Sequence, residues 1–130
     1  MKRLKTHFLI SMVIIVIILS PAFSQEIKFK ETKHNFGFVH EGDTVKLDYE
    51  FKNIGDKPLI ISNYEVECGC TKMESVVSPI EPGQTYILKV TFDTHQKYDR
   101  QDRIIKILSN ATNSPSELRF KGVVLKPKKK

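Results

Sequence analysis

The chain has 130 residues and a formal net charge of +6 at pH 7, a length that allows one domain with a single core. Three of its 21 basic residues lie within residues 1–24 and four within the last five residues, so the body carries 14 basic residues against 15 acidic ones. This balance argues against a broad basic face, and no nucleic-acid partner is predicted.

The first segment has the three-part layout of a secretory signal. A basic start at residues 2–5 precedes the uncharged apolar run Phe8–Leu19, and Pro21 follows before small residues ahead of Gln25. The run is shorter than the roughly 20 apolar residues of a spanning helix, so export to the periplasm or medium is predicted. An uncleaved anchor is the alternative, and would be the only membrane contact. The predicted organisation is a signal peptide at 1–24, one domain at 25–125 and a basic disordered tail at 126–130.

Apolar residues then recur with the period of two that is typical of strands. In Val45–Lys52 every odd position is apolar and every even one charged, so one face of this strand points inward and the other into water. Leu59–Ile61 is an apolar run of the kind found in a strand covered on both faces. Shorter alternating runs follow the same rule: Ile27–Lys30, Tyr86–Phe92, Ile105–Ile107 and Leu118–Phe120.

Turn-forming residues separate these runs. Asn53, Gly55 and Pro58 mark a turn in which Asn and Gly can adopt positive φ and Pro bars a helix. Pro82 and Gly83 occupy the second and third positions expected of a type II turn. Further turns are predicted around Gly42 and over Asn110–Pro115.

About seven short strands and no sustained helical periodicity predict an all-β fold after the N-terminal signal helix. A lone sheet would leave an apolar face in water, so two sheets must pack together. We therefore predict an immunoglobulin-like antiparallel sandwich, with an open barrel as the alternative. The predicted core includes five phenylalanines: Phe36, Phe38, Phe51, Phe92 and Phe120.

The two cysteines, Cys68 and Cys70, flank Gly69. Three interpretations remain open: a local disulfide or plain buried thiols, a redox-active pair, or two ligands of a soft metal ion such as Cu(I). Closing a three-residue loop contributes only roughly 1.6 kcal/mol, so a bridge would fix one turn that Gly69 allows to bend. The usual dithiol spacing and helical context are missing, and zinc would need four ligands.

Other polar residues give weaker signals. His34, His40 and His95 are scattered and are predicted to be surface or loop residues. Asp99–Arg103 is predicted to be a solvated hairpin edge, with a binding rim as the alternative. No paired carboxylates, nucleophile–histidine pair or phosphate-binding glycine loop is visible, so no catalytic residue, metal site or cofactor is predicted.

Six spaced motifs follow one another along the chain: His34–Gly37, Glu41-Gly42, Phe51–Ile61, Cys68–Thr71, Pro79–Gly83 and Val90–Asp93. In this order they resemble the motifs of the DUF1573 family. The resemblance covers about Ile27–Val124. It implies a small envelope or secreted protein of a family abundant in Bacteroidota, with a fold similar to ASH, major sperm protein and PapD sandwich domains. The chain departs from the family pattern after Thr71 and after Asp93, so the loop beyond Asp93 is expected to differ in shape.

The function predicted from these features is that of an exported, non-enzymatic module that binds an unknown protein partner or assists envelope assembly. An exposed edge strand could accept a strand of that partner, because its unpaired backbone groups template pairing. The alternative is a thiol-active protein in which Cys68 and Cys70 exchange disulfides or hold copper.

Overall fold

The structure is a computed structural model that describes residues 24–127. The predicted signal segment up to Phe23 and the tail residues Lys128–Lys130 lie outside this range. No helix within residues 24–127 is long and apolar enough to cross a membrane.

Eight strands form two four-stranded sheets in the described part of the chain. The sheet orders are β1-β3-β6-β5 and β2-β8-β7-β4, and all pairs are antiparallel except β2 with β8. The strands are β1 (Ile27–Phe29), β2 (Lys33–His40), β3 (Thr44–Asn53), β4 (Ile61–Val66), β5 (Thr71–Met73), β6 (Thr85–Asp93), β7 (Asp99–Ser109) and β8 (Ser116–Leu125). The predicted all-β sandwich is confirmed, with one strand more than the approximate count and with one parallel pair.

β3 shows why the sequence folds this way. Its residues alternate strictly between exposed and buried from Thr44 to Asn53, and nine of them pair with β6. Its inward side chains meet those of β7 and β8 across the interface, and the core is closed on both sides by sheet. Fully buried members include Tyr49, Phe51, Phe92, Ile105, Leu118 and Phe120.

β2 departs from the prediction because a bulge interrupts it. Its register against β8 shifts between Asn35 and Gly37, and Gly37 has a φ of 73°. The extra residue reverses the inward–outward alternation. Phe36 therefore packs against the core, whereas Phe38 points outward with 75% of its surface exposed. The prediction that Phe38 belongs to the core is wrong for this reason.

Two further stretches differ from the sequence interpretation. Leu59 is buried and bridges to Ile80, but Ile60 is 46% exposed and β4 begins only at Ile61, so this run is not covered on both faces. Asp99–Arg103 forms the first half of β7, and it lacks a partner on the β4 side because β4 pairs only with Ile105–Ser109. Gln101 within it is buried, so this half is only partly solvated.

Candidate functional site

The cysteine turn, Glu67–Thr71, carries the chain from β4 in one sheet to β5 in the other. Cys68 and Cys70 are joined by a disulfide with their Cα atoms 5.3 Å apart. The Thr71 amide donates to the Cys68 carbonyl at 3.2 Å, and the Asp93 amide donates to the Cys70 carbonyl at 2.8 Å. The turn is thus tied to the end of β6.

Both cysteines are half-buried, and Cys70 packs against the edge of the core. Gly69 between them is exposed, does not adopt positive φ, and a Cβ at this position would meet nothing within 4 Å. The turn therefore does not depend on the conformational freedom of glycine. Thr71, which follows, is buried and begins β5.

The histidines do not gather around the cysteine turn. His34 stacks edge-on against Tyr49 with ring centroids 4.5 Å apart, and His95 lies 3.6 Å from Glu41. The His40 amide donates to the Asp43 carboxylate at 2.9 Å in the turn after β2. Within residues 24–127, no group of three or more His, Cys, Asp or Glu residues could hold a metal ion.

Asn53 is fully buried and fixes the turn that follows β3. Its side-chain amide donates to the carbonyls of Lys57 and Ile80 at 2.8 and 2.9 Å, and its side-chain oxygen accepts from the Gly55 amide at 3.0 Å. Gly55 does not use positive φ; a Cβ there would overlap the Ser24 carbonyl, so glycine allows the start of the domain to pass closely. Both residues therefore have structural roles.

The remaining turn residues also serve the backbone. Gln84 donates to the Glu81 carbonyl at 3.0 Å, and Gly83 between them has a φ of 81°. Pro82 and Pro58 are exposed, and Gly42 has a φ of 92° in the turn from β2 to β3. None of these residues contributes a side chain to a cleft.

Sequence reasoning missed Thr94, a fully buried threonine just after β6. Its hydroxyl donates to the carbonyl of Asp43 at 2.6 Å and lies 3.2 Å from that of His40. It thereby links the loop after β6 to the turn after β2. No spacing or pattern signals such a contact, because its partners are backbone carbonyls 51 and 54 residues away.

Among residues 24–127, three ionisable groups have clearly shifted pKa values, each with an ordinary structural cause. Burial raises the pKa of the Tyr49 hydroxyl, which donates to the Arg119 carbonyl at 3.1 Å. The hydrogen bonds from Arg119 lower the pKa of Asp102, and the same bonds raise the pKa of Arg119. The two Asp102–Arg119 contacts are both 2.6 Å and form a bidentate surface pair.

The outer face of the β2-β8-β7 sheet carries a groove formed by two adjoining depressions of about 420 and 270 Å³. Both are lined by Asn35, Arg100 and Lys121. One extends over Lys33, His34, Asp102 and Arg119, and the other over Gly37, Phe38, Gly122 and Val123. The sequence gives the body a near-neutral charge, but the fold gathers four cations and one acid on this groove.

β2 is also an open sheet edge, since β8 is its only strand partner among residues 24–127. Phe38 lies opposite Val123, and His40 opposite Leu125, which is 39% exposed. An unpaired backbone edge, an exposed aromatic ring and the groove therefore coincide on one strand. This edge is the strongest candidate for a functional surface.

Comparisons with known proteins agree on the fold. A family model described as "Protein of unknown function (DUF1573)" matches residues 27–124. No curated protein matches the chain significantly. A protein of unknown function from Porphyromonas gingivalis W83 superposes with a TM-score of 0.68 at 20% identity, over 81% of this chain and 49% of that one. The chain thus spans about half of that protein.

Two other solved structures share the architecture. The ASH/PapD-like domain 7 of human CEP192 superposes with a TM-score of 0.62 at 11% identity, over 85% of this chain and 92% of that domain. The YadV chaperone does so with a TM-score of 0.52 at 15% identity, over 78% of this chain and 52% of that one. At these identities the likeness concerns the fold alone.

Proposed function

The chain belongs to the DUF1573 family, and we propose that its domain is a non-catalytic binding module that takes up an extended segment of a protein partner along β2. The observation that carries this proposal is Phe38, whose ring is 75% exposed on an eight-residue edge strand. Burying such a side chain is worth about 1.5–3 kcal/mol. A partner strand would gain this energy together with backbone hydrogen bonds.

The other sheet edges offer less. β1 and β5 are three residues long, which gives a partner few backbone groups to pair with. β4 is six residues long, but its exposed side chains are the polar Ser62, Asn63 and Glu65. The unpaired half of β7, Asp99–Arg103, is five residues long and its exposed side chains are charged, so β2 is the edge best suited to an incoming strand.

The environment of the ionisable groups supports a binding role over catalysis. The perturbed groups Tyr49, Asp102 and Arg119 are accounted for by burial and by one surface ion pair. Enzyme sites usually combine a perturbed acid or base with an enclosed cleft and a second convergent group. The groove near Asp102 lies on the outer face of the sheet, and the Asp102 carboxylate is already engaged by Arg119.

Export to the periplasm or beyond belongs to the same proposal. The signal-like pattern of residues 1–24 supports it, and so does the Cys68–Cys70 disulfide, because such bonds persist in oxidising compartments. An exported module with an open edge fits a role in envelope assembly. The fold it shares with the YadV chaperone is compatible with that role.

Site-specific photo-crosslinking tests the proposal. A benzoylphenylalanine placed at Phe38 in the native host should give a discrete adduct with a partner protein. The matched control places the same group at Ile87, which is 51% exposed on the outer face of the opposite sheet. Equal adducts from both positions, or adducts from Ile87 alone, would contradict binding at β2.

A second candidate function is disulfide exchange at the cysteine turn, or copper binding there after an external thiol has reduced the Cys68–Cys70 bond to two thiols. The observation that favours it is the half-exposed position of both cysteines on a surface turn. Insulin reduction and metal analysis of the purified protein, each repeated with Cys68→Ser, test this candidate. Turnover or copper lost in the variant would support it, and a variant altered only in stability would reject it.

A further inference from the structure

The charges on the outer face of the β2-β8-β7-β4 sheet are segregated. Strand pairing places Lys33 opposite Arg119, and Lys121 opposite both Asn35 and Asp102. Arg100 lies opposite Val123, one row further along. Among residues 24–127, the rows of this face that include β2, called the β2 half, therefore hold four cations, and the only acid in these rows is Asp102.

The half of this face near β4 has the opposite character. Glu65 lies opposite Lys106, and Lys106 lies opposite Glu117, so one lysine is flanked by two acids. Glu67 continues the acidic side at 3.6 Å from Arg103. A negatively charged segment would be repelled at the β4 side and attracted at the β2 side.

Most cations of the β2 half form no close ion pair among residues 24–127, although Arg100 and Lys121 lie near enough to Asp102 to help lower its pKa. Asp102 is held by Arg119 in the bidentate pair. No ion pair among residues 24–127 involves Lys33, Arg100 or Lys121. These three side chains line the groove with their charges available to an external anion.

The groove is long enough for a short extended peptide, and its two ends differ in chemistry. From Lys33 to Phe38 it follows β2 for about 15 Å, the length of an extended segment of roughly five residues. Its first end is formed by Lys33, Arg119 and Lys121, and its second end combines the apolar Phe38 and Val123 with Arg100. A free phosphate or sulfate would use the first end and leave the second exposed.

We propose that this groove binds an extended acidic segment of the partner protein, with one carboxylate over Lys33, one over Lys121 and one apolar side chain against Phe38. The proposal rests on the proposed function and adds the chemistry of the partner. Same-face side chains of an extended segment recur every second residue, about 6.6 Å apart, as do the rows of this sheet. The recognised segment therefore carries Asp or Glu at alternate positions.

Fluorescence anisotropy with three labelled nine-residue peptides tests the inference on the purified, exported form of the protein. Each peptide has threonine at alternate positions and a leucine at one end, and the remaining positions are glutamate, glutamine or lysine. We expect the glutamate peptide to bind about tenfold more tightly than the glutamine peptide, the lysine peptide not to bind, and salt to weaken the glutamate complex.

Single substitutions test which side chains of the domain recognise the peptides. Lys33→Glu and Lys121→Glu should each weaken the glutamate peptide about tenfold and leave the glutamine peptide unchanged. Lys46→Glu is the matched control, because Lys46 is exposed on the outer face of the opposite sheet, and it should change neither peptide. Phe38→Ala should weaken both the glutamate and the glutamine peptides.

The failures are distinguishable. Equal binding of the glutamate and glutamine peptides, both lost in Phe38→Ala, would overturn the acidic specificity and leave edge binding intact. No effect of Phe38→Ala on any peptide, together with no adduct from position 38, would overturn the proposed function itself. Self-association that is lost in Lys121→Glu would assign the groove to a second copy of this chain. Preferential binding to phosphatidylglycerol vesicles would assign it to a membrane surface, and either result would overturn the inference.

Discussion

Gly122 lies on the inner face of β8, directly against the ring of Phe36. A Cβ at this position would overlap three atoms of the ring, and the ring is itself packed against Phe92 and Phe120 with centroids 6.0 and 6.3 Å away. Because an aromatic ring in this cluster cannot bend away, glycine is required on steric grounds.

We expect Gly122→Ala to lower the free energy of unfolding by about 1–3 kcal/mol, as overpacking of a filled core does. Urea denaturation followed by circular dichroism measures this change. Gly69→Ala is the control, since its new methyl group would meet nothing within 4 Å. Equal stability of the two variants would contradict the packing of Phe36 on Gly122.

Phe36 and Phe38 flank Gly37, and of these two only Phe38 is largely exposed. The fully buried Phe92 provides the comparison for its contribution to stability. Phe92→Ala should lower the free energy of unfolding by about 3–5 kcal/mol, because its side chain is fully buried. Phe38→Ala should change it by less than about 0.5 kcal/mol, because Phe38 is 75% exposed. A large loss of stability in Phe38→Ala would contradict the outward orientation on which the binding surface depends.

The Asp102–Arg119 pair determines how the stability of the fold should change at acidic pH. The pKa of Asp102 is lowered in the folded protein by its hydrogen bonds from Arg119. The pair therefore stabilises the fold above the ordinary pKa of 3.8, and that contribution is lost as the pH falls below 3.8 through the folded value. We expect an NMR titration of Asp102 to show a midpoint below 3.8 that rises in Arg119→Gln. An unchanged midpoint would contradict the pair.

Among the strands, alternation of apolar and polar residues is most informative where the strand itself is regular along its whole length. β3 keeps one side chain in and the next out over its whole length, so Val45–Lys52 could be interpreted from sequence alone. In β2 the bulge inserts one residue, and the letters Phe36-Gly37-Phe38 do not reveal which ring turns inward. The candidate edge and its exposed ring therefore became visible only in the structure.

The charge cluster of the groove could not be predicted from the sequence either. Lys33, Arg100 and Lys121 are far apart in the sequence, and only the pairing of β2, β8 and β7 brings them to one face. The net charge of the body averages this cluster against the acidic residues near β4. Composition could exclude a broad basic face but could not locate a local one.

The fold should tolerate the loss of the disulfide in the cysteine turn. Closing a loop of three residues contributes roughly 1.6 kcal/mol at most, while the turn is also held by backbone hydrogen bonds from Thr71 and Asp93. We expect Cys68→Ser with Cys70→Ser to lower the free energy of unfolding by no more than about 1.6 kcal/mol and to leave partner crosslinking at position 38 unchanged. Loss of crosslinking in this folded double variant would place the cysteine turn in the binding function.

In the molecule as a whole, the two sheets enclose one hydrophobic core, so binding must take place on the outer faces and edges of the sheets. The inner faces are filled by apolar side chains, and the start of the domain is fastened by Ile54 and Asp56 amides that donate to Glu26 and Ser24 carbonyls at 2.9 and 3.0 Å. A rigid sandwich of this kind presents its edges in fixed geometry. Recognition by an edge strand needs such pre-organisation, because a flexible edge would lose entropy on pairing.

Amide hydrogen exchange, with and without the bound glutamate peptide, shows which strand of the domain pairs with the partner segment. If β2 accepts a partner strand, the largest new protection should lie within Lys33–His40, with smaller changes in the facing part of β8. Protection confined to Ile61–Val66 or to Cys68–Cys70, with β2 amides unchanged, would contradict the account.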